Sequence, residues 1–168
     1  STYDRDMKDL LKECGKSGLR VQYESGNTRR FDTAVRMNML EGARTVQQNI
    51  REEQGEKFGA DGYEITAHSK CAPDHEDIQG RQFTKEEYER LNRTLKRPIG
   101  HLNCTHRAYP IIIGISEPAY TKEELQAFKK NNHTEIEFEG KKLTKYEATQ
   151  LQRNLETDLR YTADTLEL

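Results

Sequence analysis

The chain has 168 residues, 33% of them apolar and 33% charged, with no tryptophan and a formal net charge of −2. The length suits one domain, the apolar share is thin for it, and the balanced charge excludes a general attraction to nucleic acid or anionic membrane. Three cysteines are an odd count that makes no disulfide framework, so a reducing compartment is expected. No apolar run is long enough to cross a bilayer, and the N-terminus lacks the apolar core of a signal peptide. A start at Ser1 reads either as the interior of a longer protein or as loss of an initiator methionine.

In chain order, Asp4 to Cys14 reads as a short amphipathic helix carrying Met7, Leu10 and Leu11, stopped by Gly15. Residues 1–17 are therefore expected to form an N-terminal helix, the end of an upstream region. Leu19, Val21 and Tyr23 alternate as in a strand before a turn at Ser25-Gly26-Asn27. Val35, Met39, Ala43, Val46 and Ile50 recur at helical spacing from Phe31 to Glu53, which predicts a long central helix with that face buried and Gly55 and Gly59 at its end. Tyr63 to Ala67 predicts a strand that delivers His68 and Cys71 to a loop. Thr84 with Glu87 forms a capping-box signature for a helix through Leu95, and Pro98 and Gly100 break it. Tyr109 to Ile113 is the most apolar run and predicts a buried strand. Thr121 with Glu124 opens a further helix to about Asn132, Thr134 to Thr144 reads as a hairpin turning at Glu139-Gly140, and Thr144 with Glu147 caps a final helix whose apolar face is Ala148, Leu151, Leu155 and Leu159. The expected class is α+β: one helix-rich domain with short antiparallel strands and hairpins.

Two clusters carry the chemistry: Cys71-Ala72-Pro73-Asp74-His75 and Asn103-Cys104-Thr105-His106. Cys71, His75, Cys104 and His106 supply the number and type of ligands of a closed tetrahedral zinc site, a structural staple for the loops. Pro73 bends the first cluster, and side chains two residues apart in an extended segment point the same way, which would aim Cys104 and His106 at one ion. Asp74 and Asn103 are candidates for orienting the ligating imidazoles from behind. His68 and His101, each three residues before a cysteine, are substitutes for a weaker ligand. The competing reading makes Cys104 a small buried hydrophobe and the histidines ordinary polar residues.

Several stretches resemble the phage minor capsid protein 2 family. They are Tyr23-Glu-Ser-Gly-Asn-Thr-Arg-Arg, the helix with Arg36, Asn38 and Gly42, Phe58-Gly-Ala-Asp-Gly-Tyr-Glu-Ile-Thr-Ala-His, Cys71-Ala-Pro-Asp-His, Gln79-Gly-Arg-Gln-Phe, Pro98-Ile-Gly, Asn103-Cys-Thr-His and Tyr146-Glu-Ala-Thr-Gln-Leu-Gln-Arg. The resemblance runs from about Gly18 to Thr157. It extends distantly to the head-morphogenesis domain of phage Mu protein F, where paired cysteines stand in place of the cysteine–histidine pairs here. A histidine in place of a cysteine keeps a zinc ligand. The resemblance implies that 18–168 is a minor capsid or head-morphogenesis domain of a phage or prophage. It further implies a role in the virion, or in the host cytoplasm during assembly, through contacts with portal and capsid proteins.

Two other classes compete. A metal-dependent nuclease or other hydrolase, effector-like, would use the same cluster, since Asp74-His75 with Asn103 and His106 superficially resembles His-Asn-His nucleases. The spacing is shorter than in those enzymes and no catalytic residue is assigned, so the reading leans away from an enzyme. Arg29, Arg30, Arg93 and Arg97 are candidate contacts to packaged DNA. They alternate with Asp32, Glu86, Glu87 and Glu89, the pattern of a self-paired solvated face.

Overall fold

A computed structural model describes residues 5, 20–101 and 104–166. The N-terminal helix expected over Asp4 to Cys14 therefore lies outside the described residues, as do Leu19 and Asn103. The chain divides into two compact units, 1–40 with 150–168, and 41–149. The fold is α+β, with helices and short antiparallel strands.

In the first unit, β1 (Arg20–Gln22) pairs with β2 (Thr28–Arg30) through a turn in which Gly26 takes φ 79°. Helix α1 (Phe31–Lys57) starts directly after β2 and continues into the second unit. It stops in a Schellman arrangement: Gly59 takes φ 76° and donates to the Glu56 carbonyl, while Ala60 donates to the Gly55 carbonyl. Gly55 itself lies inside the helix and has a different use. A Cβ there would fall 2.4 Å from the Pro110 side chain, so glycine permits a close approach to the sheet.

The second unit is built on β3 (Gly62–Ile65), the middle strand of a three-stranded antiparallel sheet with β4 (Gln82–Thr84) and β5 (Ala108–Ile111) at its sides. Tyr63 faces Phe83 and Pro110 in register. Helix α2 (Lys85–Thr94) follows β4 through the Thr84–Glu87 capping box, and α3 (Lys122–Asn132) opens with the Thr121–Glu124 box. The hairpin β6 (Glu135–Phe138) and β7 (Lys141–Thr144) turns through Glu139 and Gly140, both at positive φ, the two-residue turn whose twist matches the strands. Helix α4 (Lys145–Leu166) is entered by a reciprocal Thr144–Glu147 cap.

The core is Ile65, Ile78 and Ile99, flanked by Phe83, Tyr88, Leu91, Leu95 and Cys104. It is centred on β3, which corrects the expectation of a core built on α1. Val35, Met39, Val46 and Ile50 are all exposed. The sheet has three strands of three or four residues, too small to supply a layer for a 27-residue helix along its whole length. The apolar run after Tyr109 is also less buried than expected: Ala108 is buried, while Tyr109 and Ile113 are exposed.

Candidate metal centre

A 3₁₀ turn at Pro73–His75, closed by His75 N–H donating to the Ala72 carbonyl, presents His75 to the interior. Cys104 and His106 lie on the extended segment entering β5, and their side chains project together, as period two requires. The Cys104 Sγ lies 3.6 Å from His106 Nδ1 and 3.8 Å from His75 Nδ1, and the two Nδ1 atoms are 3.3 Å apart. His75 and His106 are buried and Cys104 is half-buried. These three residues form a group that can hold a metal ion. Bond lengths of about 2.05 Å to nitrogen and about 2.3 Å to sulfur put the edges of a tetrahedral zinc site at about 3.3 Å and about 3.6 Å.

The outer ring nitrogens settle the tautomers. His75 Nε2 lies 2.6 Å from the Arg97 carbonyl, which can only accept, so Nε2 carries the proton. His106 Nε2 lies 3.2 Å from Gln79 Oε1, an oxygen that also accepts from the His68 backbone N–H. Both Nδ1 lone pairs therefore face each other and the cysteine sulfur. Such a contact needs a positive charge in its midst, either a proton or a metal ion. The thiol responds to the same field. Burial alone would push Cys104 up, yet hydrogen bonds with His106 and His75 bring it down to about 5. His75 is raised, first by its bond to Cys104, against the opposing effect of burial.

Cys71 stands outside this group. The 3₁₀ turn sends His75 toward Cys104, whereas the Cys71 Sγ accepts a 3.0 Å hydrogen bond from Asn132 Nδ2 on α3. Burial pushes the Cys71 thiol up to about 11. Asn132 also bonds Glu76 and the Lys70 backbone, so this cysteine belongs to the anchor of the loop on α3. His68 stacks on His106 with ring centroids 4.2 Å apart, and both its nitrogens are engaged, with the Ser69 carbonyl and the Thr105 hydroxyl. His101 is exposed.

Asp74 reaches the imidazole only at 4.0 Å and mainly binds Arg97, whose guanidinium grips both carboxylate oxygens. Burial opposes ionisation of Asp74, but the Arg97 contacts win and hold its carboxyl below the usual range. Arg97 also donates to Tyr146 at 2.7 Å while its carbonyl orients His75. Arg97, a candidate DNA contact by sequence, is thus committed within the protein. Gln79 and the Arg97 backbone position the two imidazoles, and neither role has a sequence signature. Arg107 donates to the carbonyls of Cys104 and His106 and clamps the second ligand segment. Among the other candidate arginines, Arg93 pairs with Glu89 at 3.1 Å, Arg29 donates to the Met37 sulfur, and Arg30 is half-buried on β2.

No helix of the described residues is long and apolar enough to cross a membrane. Neither the curated proteins nor the solved structures yield a match. The family described as Phage minor capsid protein 2 matches residues 1–164, nearly the whole sequence. The chain belongs to the phage minor capsid protein 2 family and is a structural protein of a phage head.

Proposed function

We propose that the chain acts in head assembly beside the portal, by protein–protein contact, with one zinc ion held by His75, Cys104 and His106. The observation that carries the metal is the convergence of two Nδ1 atoms and the Cys104 sulfur at tetrahedral edge lengths, with both outer ring nitrogens turned to acceptors. The ion would tie the loop before β5 to the 3₁₀ turn, stiffening a domain with few apolar residues. The proposed contact surface for head proteins is the β6–β7 hairpin, where Ile136 and Phe138 stand exposed on one face. Elemental analysis of the full chain, purified without chelator, tests the metal: the reading requires one zinc per chain, lost from Cys104→Ser. Co-purification with the portal protein, lost from Phe138→Glu, tests the contact.

A second reading has one observation in its favour. Three protein ligands, with Cys71 engaged elsewhere, leave a fourth coordination position without a protein ligand, the ligand count of catalytic zinc. Metal-dependent cleavage of DNA or RNA by the purified chain, abolished by His75→Ala, would promote this hydrolase reading over the structural one.

A further inference from the structure

The second half of α1 turns a polar stripe, and not its apolar one, toward the sheet of the second unit. Glu41, Arg44, Gln48 and Glu52 recur at three- and four-residue spacing and are half-buried, whereas Ala43, Val46 and Ile50 on the other side are exposed. Gln48 pins the stripe by donating to the Ala108 carbonyl at the start of β5 and to Glu52. Between the helix and the segment entering β5 lies a cavity of about 180 Å³, lined among others by Glu41, Arg44, Asn49, Tyr88 and Arg107. All of these residues belong to the second unit.

Among the described residues, the two buried side-chain polar atoms without a hydrogen-bond partner are Glu41 Oε2 and Arg51 Nη1, both on this stretch of α1. A buried polar atom without a partner is costly, and the cavity that Glu41 lines has room for its missing donor. Positive charge is also in excess there, with Arg44, Arg51 and Arg107 set against Glu41 and Glu52. Arg44 comes no closer than 3.9 Å to the Glu41 oxygen. Arg107 uses Nη1 on the Cys104 and His106 carbonyls, and a guanidinium has further N–H groups to give. Burial first, and then the Arg44 charge, hold Arg107 below the usual guanidinium range.

We propose that this cavity binds one free hydrogen phosphate ion, with Arg44 and Arg107 on its oxygens and Glu41 accepting its remaining proton. Guanidinium forks match the oxygens of a tetrahedral oxyanion. Glu41 sets the selectivity, because an ionised carboxylate only accepts. Hydrogen phosphate keeps a proton to donate at neutral pH. Sulfate and the phosphodiesters of nucleic acid carry none there, so each would set oxygen against oxygen. A water takes about 30 Å³ of liquid volume, so the cavity holds a five-atom ion with water beside it. Neither zinc nor the hairpin enters this site.

Isothermal titration calorimetry of the full chain with sodium phosphate and with sodium sulfate, at constant ionic strength and neutral pH, tests the proposal. An ion of five atoms is limited to about micromolar affinity, so the titrations run from there to ~10 mM. Wild type should take up one phosphate per chain and bind sulfate at least ~10-fold more weakly. Arg44→Gln should keep the helical circular dichroism signal and weaken phosphate at least ~10-fold. Glu41→Gln, which offers a donor beside the acceptor, should strengthen sulfate binding at least ~10-fold and erase the preference. Phosphate held by a metal ion instead would ignore both substitutions. No saturable phosphate binding, sulfate bound by wild type as tightly as phosphate, or phosphate binding indifferent to Arg44→Gln would overturn the proposal. The contrast between the two ions in wild type needs no variant, so it decides the matter even where a substitution unfolds the chain.

Discussion

Replacing Cys104 and Cys71 one at a time separates the proposed metal centre from its surroundings. Cys104→Ser removes one of the three convergent ligands and leaves two imidazole nitrogens 3.3 Å apart with no anion beside them. Structural zinc sites bind with about 10–16 kcal/mol, so one of three ligands accounts for roughly 3–5 kcal/mol, or a factor of ~10²–10⁴ in affinity. With free metal at about 100 times the dissociation constant, binding adds about 2.7 kcal/mol to stability. A chain of this size shifts by about 2–4 °C per kcal/mol, so the metal should raise the wild-type melting temperature by about 5–11 °C. Cys104→Ser should lose most of that increment. Cys71→Ser alters only a buried hydrogen bond to Asn132, replacing sulfur by another acceptor, and should cost about 1 kcal/mol without changing the metal affinity. Cobalt titration, read from thiolate-to-metal absorption and competed with a chelator, measures both variants. If Cys71→Ser abolished the absorption while Cys104→Ser retained it, the ligand assignment would be refuted.

Gln79→Leu removes the acceptor of the His106 Nε2 proton and should weaken metal binding about 10–100-fold while leaving all three ligands in place; the same cobalt titration measures it. In metal-free protein, the thiolate absorption missing from Cys104→Ser should titrate near pH 5. That folded-state value lies below the ordinary thiol value of 9.0, so ionised Cys104 should contribute stability that is complete above about pH 9 and is lost as pH falls toward 5. Denaturant unfolding of metal-free wild-type and Cys104→Ser across that range should show the gap closing on the acid side. Ile65, fully buried at the centre of the sheet, should cost about 2–5 kcal/mol on change to alanine, as measured by urea unfolding with metal absent.

What could be read directly from the sequence was local. The Thr84–Glu87, Thr121–Glu124 and Thr144–Glu147 caps, the turn at Glu139-Gly140 and the shared direction of Cys104 and His106 involve residues within three positions of each other, so backbone geometry alone imposes them. The family was legible for a related reason, because its motifs are short runs in a set order, and the match over residues 1–164 agrees with them. The tertiary fold decided which atoms the cysteines and histidines meet. Cys71 and His75 are four residues apart, yet one sulfur is taken by Asn132 on α3 while the imidazole is aimed by the Arg97 carbonyl. Those partners are 61 and 22 residues distant, beyond any periodicity. The α1 stripe makes the same point for packing. Helical spacing establishes that an apolar face exists, but whether anything in the chain covers it depends on surfaces that only the tertiary fold presents.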